Sequence, residues 1–137
     1  MTTPRFDEMT RSAAALIGLC AIAAVGATAS CFSERVTEPA LTIDPAICTG
    51  TRPANVVIIR GFTFEPTQLT VAPGTEVTWA NCEPAGTDSH TSTSDNGIWN
   101  SGLLAPGNGY RRTFSDAGQF PYHCEPHPGM VARIVVQ

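Results

Sequence analysis

Short runs of apolar and β-branched residues, each ended by turn-forming residues, recur along the second part of this chain and constrain its fold most strongly. In one run Val77 and Trp79 share a face, as the two-residue alternation of a strand requires. No helical period is visible in this part of the sequence. Regularly spaced short strands are typical of an all-β Greek-key sandwich or barrel. The predicted strands are residues 55–60, 68–71, 76–81, 110–114, 119–124 and 132–137.

The N-terminal part of the chain differs from this pattern in composition. Arg11 is followed by an uncharged, Ala-rich stretch, residues 12–30, whose length suits the apolar region of a secretory signal. The next stretch is polar, contains three prolines and shows no period. We therefore interpret residues 1–30 as an export signal, residues 31–53 as a polar tether and residues 54–137 as the folded domain.

The end of the export signal has three readings. Residues 27–29 fit the A-x-A cleavage pattern, whereas residues 28–31 resemble a bacterial lipobox that would leave Cys31 as a lipidated N-terminus. In that lipobox Thr28 stands where Leu is preferred. An uncleaved membrane anchor stays open too, because Asp7 and Glu8 offset the arginines before the apolar stretch. All three readings predict an exported protein, periplasmic or at the cell surface, either free or membrane-anchored.

The charge of the chain excludes one class of partner. Twelve acidic residues exceed eight basic ones, which gives a formal charge of -4, and the sequence contains no lysine. Recognition of a phosphate backbone needs a basic face. We therefore expect no nucleic-acid partner.

Three soft donor residues follow one another at intervals of three near the C-terminus: Cys124, His127 and Met130. Strand alternation in residues 119–124 turns Cys124 inward and His123 to the opposite face. The Pro-containing turns that follow can bring His127 and Met130 back toward the Cys124 sulfur. A thiolate, an imidazole and a thioether would then converge.

Such a donor set points to a soft metal. Two histidines and one cysteine in a trigonal plane, with a weak axial methionine, form the blue-copper electron-transfer site. A second histidine is needed, and since the alternation turns His123 away, His90 from a distant part of the chain is left. The predicted copper ligands are therefore His90, Cys124, His127 and Met130.

Beyond these ligands, the order of the motifs resembles a family. Residues 61–81, His90, residues 101–107 and residues 113–130 follow the order seen in cupredoxins, the small blue-copper proteins of the plastocyanin and amicyanin type. The Cys-x-x-His-x-x-Met spacing is similar to the short ligand loop of amicyanin. Thr91 departs from the pattern, since plastocyanins and amicyanins carry Asn there. This difference puts in doubt the side-chain link that the family makes between its two ligand segments.

The resemblance implies a cupredoxin-type sandwich that binds one copper ion per chain, cycling between Cu(I) and Cu(II). Four protein ligands leave no open position for a substrate, so we expect an electron carrier and not an enzyme. Its partners would be transient redox proteins, and nothing in the sequence suggests an obligate oligomer, so we expect a monomer. The ring edge of His127 would meet the partner within an apolar patch of Leu103, Leu104, Pro106, Pro126 and Pro128.

Alternatives to these expectations stay open. A copper-binding or copper-delivery protein would use the same ligands without carrying electrons, and a purely structural sandwich would tolerate their loss. An exported cysteine is often half of a disulfide. Cys48 and Cys82 could pair with each other, although spacing cannot prove proximity, and that would leave Cys124 unpaired. The aromatic residues Phe62, Phe64, Trp79, Phe114 and Phe120 are interpreted as core, not as a redox relay.

Overall fold

The computed structural model describes residues 40–137, which form a two-sheet sandwich and confirm the all-β prediction. One sheet has the strand order β1-β7-β5-β2-β3, and the other has the order β4-β9-β8-β6. The elements are β1 (Leu41–Thr42), α1 (Ala46–Thr49), β2 (Val56–Arg60), β3 (Thr63–Glu65), β4 (Gln68–Val71), β5 (Thr75–Asn81), β6 (Thr93–Ser94), β7 (Asn108–Phe114), β8 (Gly118–Cys124) and β9 (His127–Val136).

The expected export signal, residues 1–30, and Cys31 lie outside the described residues. Within the described residues no helix is long and apolar enough to cross a membrane.

The main core lies between the two sheets and is rich in aromatic rings. Trp79 on β5 is fully buried and contacts Trp99, Tyr110 and Tyr122 with ring centroids 5.6–5.9 Å apart. Such contacts add to the apolar area that the rings bury. The expected core positions of Phe64, Trp79 and Phe114 agree with their burial.

Phe62 differs from this expectation, because half of its side chain is exposed. It lies in the two-residue turn between β2 and β3, where Gly61 and Phe62 both have a φ of 58°. Two residues with positive φ form the tight turn that matches strand twist, and for a bulky residue this conformation is unusual. The turn presents the Phe62 ring at the surface.

A second, smaller apolar cluster covers the outer face of the first sheet. Val56 and Ile58 on β2 alternate with core residues and pack against Ile43 and Ala80. Residues 41–49 supply the covering side chains, and Leu41 pairs with Gly109 of β7. Part of the segment interpreted as a tether therefore packs on the sheet. The start of the domain at residue 54 stays a prediction.

Candidate metal centre

The expected donors Cys124 and His127 come from the tight connection between β8 and β9. The pairing of these strands shifts between His123 and Cys124, so that Cys124 pairs with His127 across the two-residue turn Glu125-Pro126. Strand alternation buries Cys124 completely, and among the described residues it is the free cysteine. The turn thus places a thiol and an imidazole side by side.

His90 reaches the same point from the segment between β5 and β6. It is fully buried, and its backbone exchanges two hydrogen bonds with Leu104, with N–O distances of 3.1 and 2.7 Å. Burial, followed by the charge of the neighbouring His127, holds the pKa of His90 below its ordinary value of 6.5, whereas Glu83 acts in the opposite direction. A neutral imidazole is the form that binds a metal.

Three donor atoms converge on one point. Cys124 Sγ lies 3.6 Å from His90 Nδ1 and 3.5 Å from His127 Nδ1, and the two Nδ1 atoms are 3.1 Å apart. A circle through these atoms, with sides of 3.6, 3.5 and 3.1 Å, has a radius of about 2 Å, close to a metal–nitrogen bond of about 2.0–2.1 Å. Electron-rich atoms this close need a proton or a cation between them. The residues present therefore fit a metal ion of soft character.

Met130 is buried on β9, in the same core cluster as Cys124. Its role as a ligand stays a prediction. His123 lies outside the donor group, because its ring faces Asp95, with a distance of 2.6 Å between Nδ1 and Oδ1. The side-chain alternation predicted for the strand therefore holds up to the register shift.

Thr91 links the segment of His90 to the segment of Cys124. This link was in doubt because the family has Asn at this position. Its hydroxyl oxygen accepts a hydrogen bond from the backbone N–H of Glu125 at 2.8 Å and shares a second bond with the Thr93 hydroxyl at 3.0 Å. Its backbone N–H points at the Cys124 sulfur, 3.3 Å away. A sulfur that accepts such a bond is a weaker electron donor, which is one way in which a protein tunes a metal. The hydroxyl of Thr91 thus joins the two donor segments in the place of the Asn side-chain amide of the family.

The residues of the expected docking patch differ in exposure, and the docking role itself stays a prediction. Leu103 is exposed, and Pro126 and Pro128 are exposed beside half-buried His127. Leu104 is wrong as a patch residue, because its side chain is fully buried in the main core. Sequence reasoning missed Phe62, whose ring meets the rings of His127 and His90 edge-on at centroid distances of 4.9 and 5.5 Å.

The cysteines Cys48 and Cys82 form a disulfide, a pairing that their spacing alone had left open. Next to Cys82, Glu83 places Oε1 at 3.4 Å from His90 Nε2 and at 3.1 Å from the backbone N–H of Phe62. No feature of the sequence singled out Glu83.

Comparison with known proteins gives the same chemistry. A profile of a family described as copper binding proteins, plastocyanin/azurin family, matches residues 54–137. Amicyanin of Paracoccus denitrificans is 30% identical over 125 residues, which cover 88% of this chain and 92% of the amicyanin. The chloroplastic plastocyanin of Tetradesmus obliquus is 35% identical over 89 residues, 54% of this chain, and the match spans 58% of the plastocyanin's own length.

Solved structures share the fold. A purple cupredoxin from Nitrosopumilus maritimus is 28% identical, with a TM-score of 0.54 over 60% of this chain and 98% of that protein. A copper-containing nitrite reductase from Thermus scotoductus is 25% identical, with a TM-score of 0.57 over 64% of this chain, but the match covers only 23% of that enzyme. The similarity therefore extends over nearly all of a small cupredoxin and over less than a quarter of the enzyme.

Proposed function

Since this chain belongs to the plastocyanin/azurin family of copper binding proteins, we propose that it carries single electrons on one copper ion held by His90, Cys124, His127 and Met130. The observation that carries the proposal is the convergence of two imidazole nitrogens and one buried, unpaired thiol on a single point. The related amicyanin and plastocyanin support the electron-transfer role in general. The finer proposal is a type 1 site, with Met130 as the weak fourth ligand.

The protein's part in this function is to fix the donors. When bound, copper would supply a one-electron couple between Cu(I) and Cu(II). Thr91 holds the backbone of Glu125 directly after Cys124, and its N–H is directed at the sulfur. His90 is anchored through its own backbone N–H and carbonyl, which both form hydrogen bonds with Leu104. Donors held in this way move little when the charge of the site changes, which favours fast outer-sphere transfer.

We infer that the protein is a carrier and not an enzyme, because four side-chain donors leave no position for a substrate, whereas catalytic metal sites keep one open. His127 is half-buried, its ring contacts the exposed ring of Phe62, and exposed Pro126 precedes it. An apolar surface of this kind suits a small, short-lived interface with a redox partner. Export by residues 1–30, with or without anchoring, is part of the same proposal.

The test is the visible absorption and electron paramagnetic resonance of residues 32–137 loaded with Cu(II). We expect an intense thiolate-to-copper band and a narrow copper hyperfine splitting, both lost in Cys124→Ser. His123→Ala is the matched control, since its ring faces Asp95 and not the donor group, and it should keep both signals. Ordinary Cu(II) spectra that Cys124→Ser leaves unchanged would refute the type 1 proposal.

A second measurement separates an electron carrier from a copper-delivery protein, which would use the same donors. We expect reversible voltammetry, together with slow loss of copper to a chelator in excess. Rapid loss of copper without reversible cycling would favour delivery.

A further inference from the structure

Residues 41–49, which we name the N-terminal cover, are fitted closely to the first sheet. Ile43 donates its N–H to the carbonyl of Gly107 at 3.0 Å, and Leu41 pairs with Gly109. Gly109 allows this approach, because a Cβ atom there would lie 2.5 Å from Ile43 Cγ2 and 2.6 Å from the Trp79 carbonyl oxygen. The cover is therefore a specific part of the fold, and any side chain at residue 109 would displace it.

A disulfide joins this cover to the loop that leads to His90. Cys48 lies in α1, and Cys82 directly follows β5. A cavity of about 200 Å³ lies beside the disulfide, lined in part by Cys48, Cys82 and Glu83. Cys48 and Cys82 both pack against the apolar cluster of Ile43, Val56, Ile58 and Ala80. The covalent bond makes the connection.

Glu83 is the residue that transmits this connection to the metal centre. Its side chain is 9% exposed, and Oε1 lies between the Phe62 N–H and His90 Nε2. His90 Nε2 is fully buried and has no hydrogen bond within the described residues, and the carboxylate of Glu83 lies 3.4 Å from it. When Nδ1 binds a metal, Nε2 carries the proton, and a carboxylate at that nitrogen then fixes the tautomer and the ring orientation.

The loop after Glu83 does little to hold the carboxylate. Residues 84–88 are exposed, and their hydrogen bonds are mostly internal, as between Thr87 and the Pro84 carbonyl. By contrast, the residues before it are fixed. Cys82 donates its N–H to the Ile59 carbonyl at 2.8 Å, and Glu83 donates its N–H to Asn81 Oδ1 at 3.0 Å. The position of Glu83 is thus set from the side of the disulfide.

We propose that the N-terminal cover and the Cys48–Cys82 disulfide hold Glu83 against His90, which makes Glu83 a positioning residue of the metal centre and the disulfide its support. The proposal rests on the proposed function only in treating His90 as a metal ligand. The contact itself is a property of the metal-free protein and can be tested there.

The first test uses hydrogen exchange of the Phe62 amide in the metal-free protein, because this N–H donates to Glu83 Oε1 and so reports the position of the carboxylate. We expect exchange to be roughly tenfold or more faster when Cys48 and Cys82 are both changed to Ser, since the local structure opens more often. Glu83→Ala should have a similar effect. The triple variant should add nothing to it, because both changes remove the same bond.

Loss of a disulfide also lowers global stability, so Val71→Ala in the other sheet serves as the control. It should leave the Phe62 amide unchanged at equal global destabilisation. If the double Ser variant does not fold, the same amide is followed in the wild-type protein after reduction of the disulfide by a dithiol. Unchanged exchange on loss of the disulfide, in a protein whose Glu83→Ala variant shows faster exchange, would overturn the proposal.

The second test uses copper dissociation from the loaded protein into excess chelator. Partners that orient a metal-binding histidine are worth about 10- to 100-fold in metal affinity, so we expect Glu83→Ala and the double Ser variant to release copper at least about tenfold faster. The protein could fail to bind copper while its Phe62 amide still exchanges faster in the variants. That result would refute the proposed function and leave the positioning of Glu83 intact. Copper release that is unchanged in both variants would refute the role of Glu83 at the metal centre.

Discussion

Replacing Thr91 by Val removes the link between the donor segments while keeping the shape of the side chain. Thr91 is almost fully buried, and its hydroxyl oxygen serves two partners, the Glu125 N–H at 2.8 Å and the Thr93 hydroxyl at 3.0 Å. Valine keeps the backbone N–H that points at Cys124 Sγ. The substitution therefore isolates the hydroxyl from every other contribution of this residue.

The expected cost follows from what each partner loses. A typical hydrogen bond contributes about 1 kcal/mol, and a polar group left buried without a partner costs about 1–3 kcal/mol. Thr93 is buried, so water replaces its lost bond poorly, whereas the exposed Glu125 can recruit water. Together these losses amount to about 2 kcal/mol, which is a shift of roughly 1 M in the urea midpoint at an m-value of about 2 kcal/mol/M.

Urea unfolding of the metal-free protein measures this cost, and Thr91→Ser is the matched control because it keeps the hydroxyl. Serine also loses a buried methyl group, worth about 1 kcal/mol, so stability alone separates the variants poorly. Exchange of the Glu125 amide separates them clearly, since it should quicken in Thr91→Val and stay slow in Thr91→Ser. A Glu125 amide that is unaffected by valine, with a stability loss below about 0.5 kcal/mol, would refute this account of the link.

Two further predictions concern other groups. The guanidinium carbon of Arg112 lies 5.4 Å from the Trp99 ring centroid and 5.6 Å from that of Phe114. In urea unfolding, Arg112→Ala should therefore lower the free energy of unfolding by about 1–2 kcal/mol. Arg112→Met keeps the apolar stem and should lower it by less than about 1 kcal/mol. Equal costs would show that the charge and not the stem matters. The pKa of His90 is lowered by burial, so the part of the metal-free protein's stability that depends on a neutral His90 should be fully present above pH 6.5, the ordinary His value, and be lost as the pH falls through the lowered pKa. A stability that stays flat as the pH falls from about 7.5 to about 5 would contradict that burial cost.

Strand periodicity accounts for the larger part of the fold. The six predicted strands correspond to β2, β4, β5, β7, β8 and β9, with ends that differ by at most two residues except at the start of β9, which begins five residues earlier than predicted, at His127. In contrast β1, β3, β6 and α1 were missed. Each of them has only two to four residues, which is too short for alternation or a helical period to be visible. These short elements form where longer neighbours leave backbone groups to be paired.

Arg112 shows where alternation alone is insufficient. It shares the inward face of β7 with Tyr110 and Phe114, a position at which a buried charge would be costly. The structure keeps the guanidinium at the faces of two aromatic rings and leaves the side chain only half-buried. The pattern predicts the direction of the side chain, but the two rings that receive the charge come together only in the folded sandwich.

The candidate site could likewise be predicted from the sequence only in part. The proximity of Cys124 and His127 could be read because the two residues flank one two-residue turn, and a short turn has few geometries, whereas Met130 follows on β9. Glu83 and Phe62 could not be read, since their contacts with His90 depend on a turn and a disulfide far from the motif. Sequence reasoning thus predicts donors that share a turn and misses the residues that orient them across the sheets.

The polar run after His90 gives the clearest physical reason for this limit. Thr91, Ser92, Thr93 and Ser94 have the composition of an exposed loop, yet each is at most 5% exposed. They are buried because their hydroxyls are paired: Ser92 Oγ accepts the Trp99 indole N–H at 3.0 Å, and Thr91 pairs with Thr93. A paired hydroxyl costs little to bury, whereas an unpaired one costs about 1–3 kcal/mol. Polarity therefore predicts exposure only when the partners are known. In this protein the hydrogen bonds of these residues join the donor segments, so a run with the composition of an exposed loop is part of the framework that holds Cys124 and His90 in place.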